Sequence, residues 1–135
     1  MGRGVQMKRM ATVSAAALLM AVCFGSVPAL ADQLLGSYVA RISDRDHHAS
    51  DGYELGSAAQ MVRQDRAYWH KFGSGDPDDE GDSWFRTNAQ RTRLQSMLER
   101  KGAISQSATR AIVNGEPLIQ VDVYRNSVRV TILER

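Results

Sequence analysis

SAAQMVRQDRAYWHKFGSGDPDDEGDSWF, residues 57–85, holds both tryptophans and two of the three phenylalanines of the chain. Ser57 and Gln60 stand at capping-box spacing, in which each side chain satisfies a backbone N–H at a helix start. Gly73 suits the left-handed residue that ends a helix. Projected at about 100° per residue, Ala58, Met61, Val62, Trp69 and Phe72 form one apolar stripe with Tyr68 at its edge. Gln60, Arg63, Gln64, Ala67, His70 and Lys71 lie on the other side. Asp65 falls in the middle of the apolar stripe. Burying a lone carboxylate costs several kcal/mol, so Asp65 must be paired, hydrogen-bonded or protonated. An internal tie to an arginine, a tryptophan N–H or a loop backbone meets that need. A functional carboxylate with a shifted pKa at the floor of a cleft is the alternative.

On the C-terminal side, Thr87 with Gln90 repeats the capping-box spacing, and a second helix is expected from Asn88 to Lys101, ending at Gly102. Its stripe is Leu94, Met97 and Leu98, flanked by Gln90 and Lys101. Ser105 can cap a short third helix over Gln106–Val113, stopped by Asn114-Gly115. Leu118–Tyr124 and Val128–Leu133 alternate about Arg125-Asn126-Ser127 and read as a β-hairpin. Ile119, Val121 and Val123 share one face, as do Val128, Val130 and Ile132. On the N-terminal side, Ser37–Ser43 alternates with period two and reads as a strand. A two-stranded hairpin is marginal alone, so this strand is expected to join it. The fold class is therefore α+β: about three helices packed on a small antiparallel sheet made of the N-terminal strand and the C-terminal hairpin.

The first 31 residues differ in kind. Arg3, Lys8 and Arg9 precede an uncharged apolar run from Met10 to Leu30, and Ala29-Leu30-Ala31 is an A-x-A cleavage signature. These features predict a secretory signal peptide with cleavage after Ala31, and a periplasmic or secreted domain over residues 32–135. Met7 is an alternative start. Val22 precedes Cys23 where a lipoprotein signal needs a small residue, so lipidation is not expected. The chain's one cysteine lies in the leader, which leaves the domain without disulfide, thiolate metal site or cysteine nucleophile. Three of the 17 Lys and Arg fall in the leader and none of the 15 acids, so the formal +2 becomes about −1 after cleavage. No basic face for nucleic acid or anionic lipid is expected.

Two loops carry the residue types of a site. Asp76-Pro77-Asp78-Asp79-Glu80-Gly81-Asp82 half matches a calcium loop, with Asp76, Asp78 and Glu80 as the first ligands, Gly81 at the turn and Asp82 offering its carbonyl. The twelfth position, where a bidentate Glu belongs, is Thr87. Asp46-His47-His48, inside the polar stretch Asp44–Gly56, could supply part of a zinc site with His70 as a distant ligand. His48, His70 and Asp65 are the candidate catalytic groups of a small metal-assisted hydrolase, which would also use Asp46. Trp84, after the acidic loop, is the candidate exposed ligand contact. No serine elbow, S-x-x-K or H-E-x-x-H pattern is present. The expected function is that of a non-enzymatic binding or envelope-accessory protein with a protein or cell-envelope partner. A calcium- or zinc-binding module and the small hydrolase are the alternatives.

Overall fold

The computed structural model describes Gly2, Gly4 and residues 31–135. The leader expected from Arg3, Lys8, Arg9, Met10–Leu30 and Cys23 lies outside the described residues. Strand β1 (Leu34–Arg41) leads through a 3-10 turn (Asp44–His47) to helix α1 (Ala58–Phe72). Helices α2 (Asn88–Leu98) and α3 (Gln106–Asn114) follow, then strands β2 (Leu118–Tyr124) and β3 (Val128–Glu134). Among the described residues no helix is long and apolar enough to cross a membrane.

Each helix begins where a hydroxyl accepts an N–H three residues on. Ser57 takes that of Gln60 at 3.2 Å, Thr87 that of Gln90 at 3.1 Å and Ser105 that of Ala108 at 3.1 Å. The box closes at Thr87, whose N–H donates to Gln90 Oε1 at 3.0 Å. At Ser57 the glutamine takes the N–H of Gly56 instead. Gly73, at φ 62°, ends α1 in the left-handed region. Helix α2 stops at Leu98 rather than running to Lys101. The chain there turns so that the Ala103 carbonyl can accept the Val130 N–H at 2.9 Å, which covers part of the outer edge of β3.

The sheet is antiparallel in the order β1-β2-β3, with β2 in the middle. Tyr38 stands opposite Val121 and Val121 opposite Val130; Ala40, Ile119 and Ile132 make the next row. These rows face the helices, and Tyr38, Ala40, Ile42, Ile119, Val121, Val123, Val128 and Val130 are buried against Met61, Val62, Phe85, Leu94, Met97, Leu98 and Ile112. The fold is the α+β arrangement expected. Strand β1 begins earlier than Ser37 and ends at Arg41, because its ladder extends to Leu34 opposite Tyr124. Ser43 instead precedes the 3-10 turn, so the expected Asp44–Gly56 loop has local structure. The ladder is irregular between Leu34 and Gly36. There a Cβ on Gly36 would meet the Trp84 ring at 2.7 Å, so only glycine lets the indole lie on the strand.

The apolar stripe of α1 outruns the core. Ala58, Met61, Val62 and Asp65 are buried, but Trp69 is half-buried and Phe72 is 47% exposed. Beyond Asp65 the helix packs under the loop that follows it rather than against the sheet. Trp84 is half-buried and partly packed on the core, not a free surface aromatic.

Candidate functional site

Arg66 is 0% exposed and ties α1 to the acidic loop. Its Nε donates to Asp65 Oδ2 at 2.7 Å, and its Nη1 donates to the Glu80 carbonyl at 2.8 Å and to Asp82 Oδ2 at 2.9 Å. The guanidinium lies 4.2 Å over the Tyr38 ring and 5.6 Å from that of Trp69. Residues 74–82 fold over this group. Gly75 and Gly81 rest on the Trp69 indole. Asp79 accepts the N–H of Arg41 and that of Asp76, both at 2.8 Å, while the Glu80 N–H donates to the Val39 carbonyl at 2.8 Å. The loop is thereby stapled to the outer edge of β1.

Asp82 ends the loop. Its Oδ2 also lies 2.8 Å from His70 Nε2, and its Oδ1 accepts the N–H groups of Trp84 and Phe85, both at 2.8 Å. Burial pushes its carboxyl up, but the bonds from His70, Arg66 and Phe85 outweigh burial and hold it below the usual range.

Beneath the loop, three carboxylates from three segments converge. Asp46 from the 3-10 turn, Asp65 from α1 and Asp76 from the loop each bring an oxygen into a group whose members lie within 4.8 Å of one another. Asp46 and Asp65 are each 1% exposed. Asp46 Oδ2 accepts the Ser43 N–H at 2.9 Å and its hydroxyl at 3.2 Å, while Oδ1 has no partner among the described residues. Asp76 Oδ2 is also buried without a hydrogen bond, 3.8 Å from Arg45 Nη2. Tyr38 Oη, Arg45 Nε and Arg66 Nη2 complete the set of buried, unpartnered side-chain atoms among the described residues. All belong to the residues in and around this cluster. Buried polar groups normally find partners, so their concentration here asks for something held among them. Burial pushes Asp46 up to about 7, with Asp76 adding to it and the Ser43 bonds opposing. Burial also raises Asp65, although Arg66 opposes it.

The acids of the loop do not encircle one ion as a calcium loop would. Asp78 pairs with Arg41 at 3.1 Å, Glu80 lies at the surface and Asp82 is consumed by Arg66 and His70. Of the loop acids, Asp76 is the one that joins the carboxylate cluster. His47 has both ring nitrogens 2.9 Å from carbonyl oxygens, those of Ser43 and Ile112, so neither is left for a metal. His48 lies 3.3 Å from the Asp44 carbonyl. No histidine belongs to the cluster. Of the proposed hydrolytic set, Asp46 and Asp65 meet, while His70 turns to Asp82 and His48 to Asp44. Asp65 marked this region in the sequence by its place on the apolar stripe. Arg66 carried no comparable signal, and nothing local joined Asp46 to Asp76.

The cluster offers oxygen alone, the donor set of a hard cation such as calcium or magnesium rather than zinc. Two guanidinium groups, Arg66 shared between Asp65 and Asp82 and Arg45 at 3.8 Å from Asp76, face four carboxylates, which leaves negative charge to be met by protons or a cation. Asp46 and Asp65 are buried, while Asp76 is partly exposed. No family model, curated protein or solved structure matches the chain.

Proposed function

We propose that this chain is an exported, non-enzymatic binding domain of the bacterial envelope, built around a structural site for a hard divalent cation, calcium first. The observation that carries this reading is the convergence of Asp46, Asp65 and Asp76 within 4.8 Å, with Asp46 Oδ1 buried and without a partner among the described residues. Oxygen-only donors favour calcium or magnesium over zinc. The burial of Asp46 and Asp65 favours a structural role over hydrolysis. The basic, apolar and A-x-A sequence before Asp32 supports the address.

The test is a thermal melt of the purified, metal-stripped protein with calcium, magnesium, zinc or chelator. An ion at a hundred times its dissociation constant adds about 2.7 kcal/mol. Calcium or magnesium should raise the melting temperature by several degrees, and Asp46→Asn and Asp76→Asn should remove the effect. A melt that no metal moves would overturn the site, leaving protons to neutralise the cluster. An effect of zinc alone would overturn the hard-cation assignment. Mass spectrometry of the exported protein should find Asp32 at the N-terminus; a lipid on Cys23 would refute the soluble address.

A further inference from the structure

On the face of α1 turned away from Asp65, Arg63, Gln64, Ala67 and Lys71 line one wall of a cleft of about 410 Å³. Asn88, Arg91 and Gln95 of α2 line the other, and none of the lining residues is acidic. Arg91 is only 4% exposed, yet it forms no ion pair among the described residues. Its Nη1 donates to the carbonyls of Phe85 at 3.1 Å and Arg86 at 2.7 Å. Its Nε and Nη2 have no protein partner there. Arg63 is likewise without a carboxylate, held instead by Gln95 Oε1 at 2.9 Å, Asn88 Oδ1 at 3.0 Å and Thr92 Oγ1 at 3.1 Å. Those three bonds fix the Arg63 fork in place with neutral acceptors, which leaves its charge unanswered. Burial, and then Arg63 itself, weaken the hold of Arg91 on its proton, while Asp82 opposes them.

Cations buried without a counter-charge are costly, and two guanidinium groups that repel across a cavity lined by amides form a positive pocket. The Nε–Nη2 side of Arg91, which donates to no protein group among the described residues, is a planar fork that matches the paired oxygens of carboxylate and phosphate, and Arg63 adds its charge from the facing wall. We infer that the cleft between α1 and α2 is a binding site for a small oxyanion, a phosphate or carboxylate group, received between Arg63 and Arg91 with Lys71 at the rim. Its volume lies in the range of small-ligand sites. It stands apart from the carboxylate cluster, so either site can fail without the other.

The experiment is a titration of the purified protein with inorganic phosphate and, separately, citrate. Chloride at matched ionic strength serves as control, and the arginine side-chain N–H resonances are followed by NMR. Saturable shifts of the Arg63 and Arg91 signals are expected with phosphate, citrate or both, and whichever acts identifies the oxyanion. Arg63→Gln should weaken binding at least tenfold, and Lys71→Ala should weaken it less. Arg63 lies on a half-buried surface, so its variant tests the site even if an Arg91 variant fails to fold. Shifts that chloride reproduces, no shift at millimolar phosphate or citrate, or undiminished binding in Arg63→Gln would each overturn the inference.

Discussion

Gly75 lies so close to the indole of Trp69 that a Cβ there would stand 2.3 Å from Cε3 and 2.6 Å from Cζ3. The loop backbone lies close against the ring, and the acidic segment keeps its path because one residue has no side chain. Gly75→Ala should therefore displace either loop or ring and cost about 1–3 kcal/mol. Gly81→Ala, with its nearest approach at 3.2 Å, should cost less. Thermal melts and the near-ultraviolet signal of tryptophan check both. Equal stability of Gly75→Ala and the parent protein would show that the loop does not close on the ring.

Removing Arg66 strips a donor from Asp65, Asp82 and the Glu80 carbonyl together. Arg66→Met should cost about 3–5 kcal/mol, the scale on which a broken buried pair strands its partner. Asp65→Ala should cost about 2–4 kcal/mol, since Arg66 keeps Asp82 as a partner. Denaturant unfolding gives both values. An unchanged midpoint for Asp65→Ala would refute the buried pair.

Local rules carried most of the fold. The caps at Ser57 and Thr87 are read from residues three apart and that at Ser105 from its hydroxyl before the helix, and the alternation of Leu118–Tyr124 and Val128–Leu133 gives the faces that are buried. The end of α1 escaped the same rules. Whether Phe72 is covered depends on where a later loop travels, not on its position along the helix. The carboxylate cluster is non-local in the same sense, since its three members sit on separate segments. Asp65 was visible as a misplaced charge. Arg66, one residue on, became buried only because the loop 74–82 closes over it.

In the metal-free protein the folded Asp46 titrates at about 7 against an ordinary 3.8, so the folded state holds a proton that the unfolded state releases. The contribution of that proton is full below about pH 4 and is lost as pH rises toward 7, with a slope of up to about 1.4 kcal/mol per pH unit. Asp82, whose carboxyl is lowered, acts in the opposite sense, and its contribution fades as pH falls below 3.8. Stability without metal should thus peak in mild acid. Asp46→Asn should flatten the decline toward neutrality, and saturating calcium should remove it. Melts from pH 4 to 8 decide; a parent protein that gains stability across that range without metal would contradict the burial of Asp46.

Val121 occupies the middle of the central strand, between Tyr38 and Val130, and is fully buried. Val121→Asp should abolish folding, because a carboxylate there has no partner. Circular dichroism and amide dispersion check it. A well-folded variant would mean that the other face of β2 is the covered one.

Leu34 pairs across from Tyr124, and Arg41 across from Leu118. Among the described residues the first strand therefore pairs in one ladder, with a strand far from it in sequence. Contacts of such long sequence separation are slow to form, because the intervening chain must be gathered before they return any free energy. Until Leu118–Tyr124 is present, β1 has no sheet to enter, and Tyr38 lacks the Val121 side of its seat. A chain threaded N-terminus first through a pore would keep its central core open until Leu118–Tyr124 emerged, so that closure of the sheet waits on the passage of that segment.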